Sequence, residues 1–163
     1  MPTSRFFRDV LRHFGSRVTH LTPNVVRILV GFEMLCRYQE VTPTVNLFRR
    51  CYTFKAHGTD KGWFYVCNRN NTISKPVINA PTSIKNWKRD FIFVQAEDFP
   101  WSFWWRPLKS KADPSAGDHD EEAFQKLMGS GFQITCWDYP EAVLVDGGIS
   151  RAVINPEKHP FLS

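Results

Sequence analysis

Residues Leu21–Tyr52 read LTPNVVRILVGFEMLCRYQEVTPTVNLFRRCY, and this stretch decides the fold. A Thr-Pro pair occurs twice in it, at Thr22-Pro23 and at Thr42-Pro43. A threonine hydroxyl can accept from the free N–H groups of a first helical turn. Proline at the first helical position gives up no bond it would otherwise make. Each pair therefore predicts a helix start. Behind the first, Val25, Ile28, Leu29, Phe32 and Leu35 recur at helical spacing and share one face. Behind the second, Leu47, Phe48 and Cys51 do the same over a shorter run. Two helices joined by a brief turn fold together to bury such faces.

Upstream, Phe7, Val10, Leu11 and Phe14 form a short apolar stripe with Arg8, Asp9 and Arg12 outside it, and Gly15 predicts the stop. Downstream, Tyr52-Thr53-Phe54 and Trp63–Cys67 flank a glycine-bearing turn and predict a hairpin. The second run is continuously apolar or aromatic, so cover is expected on both of its faces. Pro76 and Pro81 break the next stretch into extended pieces. Phe91–Val94 predicts a short buried strand. Phe99–Trp105 holds five aromatics in seven residues, an aromatic segment expected to cap the core or line a contact surface.

After a polar linker over Lys109–Gly117, Asp118 to Met128 reads as a helix with acids at its positive end, stopped at Gly129. Pro140–Val145 reads as a second short helix. The expected architecture is α+β: N-terminal helices packed on a small, mainly antiparallel sheet of Tyr52–Phe54, Trp63–Cys67 and Phe91–Val94, with short C-terminal helices. One domain over residues 6–148 is expected, followed by an irregular tail over 149–163.

The chain's 163 residues suffice for one core, and 42% hydrophobic residues place it among globular proteins. Charge is uneven: residues 1–111 hold 18 Lys/Arg against 7 Asp/Glu, and residues 112–163 hold 3 against 9. A basic body followed by an acidic end fits either self-complementary packing or an anionic partner. The four cysteines, at positions 36, 51, 67 and 136, form no CxxC pair and read as buried free thiols in a reducing compartment. Neither an apolar leader nor a run of about 18 apolar residues is present. The sequence thus reads as intracellular, with nucleus and cytoplasm equally open and no membrane contact expected.

The five histidines are scattered without ligand spacing, so no metal is expected. GxxxxGK[ST], GxGxxG and GxSxG are all missing from the sequence, and no cofactor or small-molecule ligand is expected. Asp118, Asp120, Glu121 and Glu122 cluster, but on a helix start rather than on a rigid core where metal-assisted chemistry would need them. No catalytic residue is expected.

Basic residues from 49 to 89 interleave with Tyr52, Phe54, Trp63, Tyr65 and Trp87. They fit nucleic-acid contacts by Arg49, Arg50, Lys55, Lys85, Lys88 and Arg89, with aromatics stacking on bases. An aromatic core with solvated basic flanks is the favoured reading of the same residues, because the aromatics sit in strand-like runs that need covering. Trp101, Phe103, Trp104 and Trp105 are candidates for protein contact.

Leu21-Thr22-Pro23-Asn24, Gly31–Arg37, Leu47–Arg50, Gly62-Trp63-Phe64, Ile84–Val94 and Phe103–Trp105 follow one another in an order that resembles a plant domain named putative gypsy-type transposase. The stretches Phe6–Leu11 and Tyr139–Val145 are similar to its flanking parts. The resemblance runs from about Phe6 to Gly148 and rests on the ordered set. It implies origin in a transposable element and a place ahead of long coiled-coil regions. It carries over no catalytic residue. Members have sequence before the first helix and a coiled coil afterwards, so this chain reads as a truncated copy. The function expected is a non-enzymatic protein-interaction or gag-like assembly module, with protein partners or self-association. The alternative is a nucleic-acid binding module using the basic residues of 49–89.

Overall fold

The computed structural model describes residues 4–57, 63–69, 75–80, 118–129, 131 and 133–135. Its elements, in chain order, are α1 (Arg5–Phe14), a 3-10 turn (Val18–His20), α2 (Pro23–Tyr38), α3 (Val45–Cys51), β1 (Tyr52–Ala56), β2 (Phe64–Asn68), β3 (Val77–Ile78), α4 (Asp118–Gly129) and β4 (Ile134–Thr135). The class is α+β, as the sequence predicts.

Helix α1 begins where a hydroxyl can serve it. Ser4 has an extended backbone, and its Oγ accepts from the Phe7 N–H at 3.1 Å. At the other end Gly15 sits at φ 66°, a left-handed conformation in which glycine meets no Cβ penalty. There the Ser16 N–H reaches Leu11 O at 3.0 Å and the Gly15 N–H reaches Arg12 O at 3.3 Å, closing the last turn. Phe6, Phe7, Val10, Leu11 and Phe14 are all buried. Burying side chains of this size stabilises the fold by about 1.5–3 kcal/mol each, enough to outweigh the weak propensity of so short a helix.

The two Thr-Pro pairs behave differently. Thr22 occupies the N-cap of α2 with Pro23 behind it, but its hydroxyl makes no capping bond. Its N–H instead donates to Phe64 O at 3.1 Å, tying the helix start to β2. All five residues of the predicted stripe, Val25, Ile28, Leu29, Phe32 and Leu35, are buried. Helix α3 starts two residues later than Thr42-Pro43 predicts. Thr44 is the cap, its Oγ1 accepting from the Leu47 N–H at 3.1 Å. That start satisfies a donor and turns Leu47, Phe48 and Cys51 inward. Glu40, just past the Gln39 cap of α2, adopts φ 51° without being glycine, and the Val41 N–H closes that end onto Cys36 O at 2.7 Å.

β1 and β2 pair antiparallel, with Tyr52 opposite Asn68 and Ala56 opposite Phe64. The alternation places Tyr52 and Phe54 in the core while Lys55 faces out. β2 departs from the expectation of two covered faces: Phe64 is buried, but Tyr65 is 37% exposed. A second, parallel pair was not foreseen. Val77 lies opposite Ile134 and Ile78 opposite Thr135, joining segments far apart in sequence. A two-residue strand between Pro76 and Pro81 has no periodicity to read. Phe91–Val94, Phe99–Trp105 and Pro140–Val145 lie outside the described residues.

The core is one continuous apolar cluster, built mainly from α1, α2, α3 and β1 and reaching Val77, Leu127 and Ile134. Phe48 stands at its centre, with ring centroids of Phe6, Phe32, Tyr52 and Phe54 at 6.0, 5.2, 5.1 and 6.3 Å. Tyr52 adds a polar link: its hydroxyl accepts from the Val77 N–H at 3.0 Å in the interior. Tyr52→Phe leaves that amide without its partner. An expected loss of about 1–3 kcal/mol would be read from chemical denaturation.

Candidate functional site

The basic residues nominated from the sequence do not share one situation. Arg49 and Arg50 lie in the last turn of α3, where cations complement the negative end of a helix. Arg50 turns toward α4. Its Nη2 lies 2.5 Å from Glu121 Oε2, and its guanidinium sits 4.1 Å from the centre of the Phe124 ring. Arg49 is buried, with only 6% of its surface exposed. Lys55 is exposed on the outer face of β1. Lys85, Lys88 and Arg89, and Trp101, Phe103, Trp104 and Trp105, lie outside the described residues. Of the interleaved aromatics, Tyr52 and Phe54 are core residues and Tyr65 is exposed.

Arg50 is thereby a docking residue for α4. Its flat cation covers an aromatic face while its fork meets a carboxylate. Glu121 has its carboxyl held below the ordinary range by the hydrogen bond from Gln125 and then by Arg50. A carboxylate lowered in this way contributes above its unfolded pKa and loses that contribution as pH falls through the folded value. Arg50→Met is expected to weaken α4 docking by about 1 kcal/mol through loss of the cation over the ring. Amide exchange across α4 would accelerate roughly fivefold. Glu121→Gln, made at a half-exposed position, is expected to do less.

A second polar set was not foreseen. Ser4, besides capping α1, donates from its hydroxyl to Glu33 Oε2 at 2.5 Å. Glu33 is largely buried on α2 and holds Arg37 one turn on, with Arg37 Nη2 at 2.9 Å from its Oε1. A single hydroxyl therefore caps the start of one helix and fastens it to the next. In the sequence Glu33 stands among apolar residues, which is the signal that a partner had to exist.

Arg69, just past β2, is a third. The strand register brings it to the end of α3, where its N–H donates to Cys51 O at 2.9 Å and its Nε to Arg49 O at 2.6 Å. Nearby in the interior, Cys36 and Cys51 are buried free thiols. Burial pushes the Cys51 thiol up to about 12, with Arg50 acting the other way. Cys36 is raised further, by burial and then by Cys51 and Glu33. His20 is lowered by burial and then by the Arg17 charge. Among the described residues no three His, Cys, Asp or Glu side chains are grouped to hold a metal, and no helix is long and apolar enough to cross a membrane.

The described structure is thus that of a small α+β domain whose charged groups brace its own elements. Residues 1–56, from α1 through β1, match the model of the family Transposase_28, whose description is "Putative gypsy type transposon". Over those residues the match agrees with the resemblance read from the sequence. No curated protein and no solved structure matches the chain.

Proposed function

We propose that this transposon-derived domain is a non-enzymatic interaction module that assembles with further copies of itself in a gag-like manner. The observation that carries the reading is the use made of the basic residues. Arg50 is engaged by Glu121 and Phe124, and Arg49 is buried. Of the nominated basic residues within the described part, Lys55 stays exposed. Such an arrangement favours protein contact over a phosphate-tracking surface, which needs several exposed cations along one face. Tyr38 and Tyr65, 53% and 37% exposed, are the exposed large hydrophobics among the described residues, and tyrosine is enriched in protein interfaces.

Light scattering over a concentration series tests the reading. The expected result is a mass above that of one chain, rising with concentration. A single chain at every concentration would overturn it. Nucleic acid is separated by filter binding at low and high salt. Salt-sensitive binding by the parent, lost when Lys55, Lys85, Lys88 and Arg89 are changed to Ala, would put nucleic acid in place of the second copy.

A further inference from the structure

We propose that copies of this chain assemble by reciprocal exchange, α4 and β4 of one copy docking on α3 and β3 of a second, whose own α4 and β4 dock back. The inference rests on the self-association proposed above and names the surface that carries it. Ile78, which closes β3, and Asp118, which opens α4, stand 40 positions apart. Across that gap α4 and β4 meet the earlier elements through separable contacts. Arg50 holds Glu121 Oε2 at 2.5 Å and covers the Phe124 ring. Lys126 Nζ lies 3.4 Å from Glu40 O, and Leu127 is buried. Beyond the helix, Gln133 donates to Lys75 O at 2.9 Å, the Ile134 N–H donates to Pro76 O at 3.0 Å, and β4 pairs with β3.

Three observations select a second copy as the occupant of this surface. The first is charge. Residues 1–111 hold 18 Lys/Arg against 7 Asp/Glu, and residues 112–163 hold 3 against 9, so the late part of one copy is attracted to the early part of another. The second is the outer surface. Among the described residues Tyr38 and Tyr65 are the exposed large hydrophobics. Two rings do not supply the roughly 800 Å² per partner of a standard interface. Exchange needs no new patch, because it reuses a fit that already buries Leu127 and Ile134. The third is the independence of the inner core. The rings around Phe48 come from α1, α2 and β1, so α4 and β4 can leave without dissolving that cluster. Exchanged and unexchanged forms make the same docking contacts. Their balance is set by the connection and by the concentration of copies.

The test uses the full chain in two charge-reversed variants, Arg50→Glu and Glu121→Arg, one isotope-labelled for mass. Each alone sets like charges against each other at the α3–α4 contact, whether docking is within one copy or between two. In a mixed exchanged pair both contacts regain opposite charges. The variants are unfolded together in urea, refolded, and read by native mass spectrometry. The mixed pair is expected to exceed its statistical share roughly tenfold. A parent that assembles while the mixed variants show the statistical share overturns the exchange and leaves the assembly standing. A parent that remains a single chain overturns both. Should either variant fail to fold, labelled and unlabelled parent are refolded together, and magnetisation transfer between Arg50 and the Phe124 ring is followed. Transfer from labelled to unlabelled chains supports the exchange, and transfer confined within chains refutes it.

Discussion

Phe48→Ala is expected to destabilise the protein by about 3–5 kcal/mol, the largest effect of any single truncation considered. Phe48 is fully buried, and its ring meets one partner from α1, one from α2 and two from β1, namely Phe6, Phe32, Tyr52 and Phe54. Removing it takes away apolar burial and a set of edge and face contacts, each worth about 0.5–1.5 kcal/mol beyond burial. The surrounding elements are held by separate contacts, Phe14 stacking on Phe54 at 4.3 Å and Phe6 on Phe32 at 5.6 Å. They therefore cannot all close on the void, and a cavity remains. Urea unfolding should show a lower midpoint with an unchanged slope. Phe48→Leu, which fills part of the space, should lose less. Equal losses for the two variants would show that the ring contacts contribute little.

Alkaline pH is expected to produce a loss of similar size. In the folded protein Cys36 and Cys51 remain protonated well above the ordinary thiol range, because thiolates in that interior would lack water. In the unfolded chain both ionise near pH 8.5. Above that value the unfolded state releases protons that the folded state keeps, so stability falls as pH rises. The slope is about 1.4 kcal/mol per pH unit for each thiol. By pH 10 the two together remove about 4 kcal/mol. Other groups titrate in this range, so the measurement is differential: denaturation at neutral pH and at pH 10, for the parent and for a variant with both cysteines changed to alanine. The variant should have the flatter dependence, and parallel curves would refute the assignment. Alkylation followed by peptide mapping should mark half-buried Cys67 before either core thiol.

Much of the helical half was legible in the sequence. The stripes of α1 and α2 could be read because a 3.6-residue period is local and every member of each stripe turned out buried. Gly15 marked its helix end because the chain needs a left-handed residue there. The start of α3 was misplaced because Thr42 and Thr44 are both plausible caps, and only the packing of Leu47 and Phe48 chooses between them. The pairing of Val77 with Ile134 was invisible, since neither two-residue segment carries a pattern of its own. The candidate site was legible only as a list of charges. That Arg50 finds Glu121 depends on where α4 docks, and that Arg49 is buried beside Arg69 depends on the strand register. Neither is encoded within a short window of sequence.

The parallel pair also bears on the order of folding. Val77 and Ile134 stand 57 positions apart, whereas α1, α2, α3 and β1 follow one another with brief connections. Closing so long a loop loses chain entropy before any contact is gained, so short-range structure has the kinetic advantage. The Tyr52 hydroxyl, fixed at the end of α3, then waits as a docking point for the Val77 amide. The segment matched to the transposon family would thus assemble first and act as the template on which the more distant strands condense.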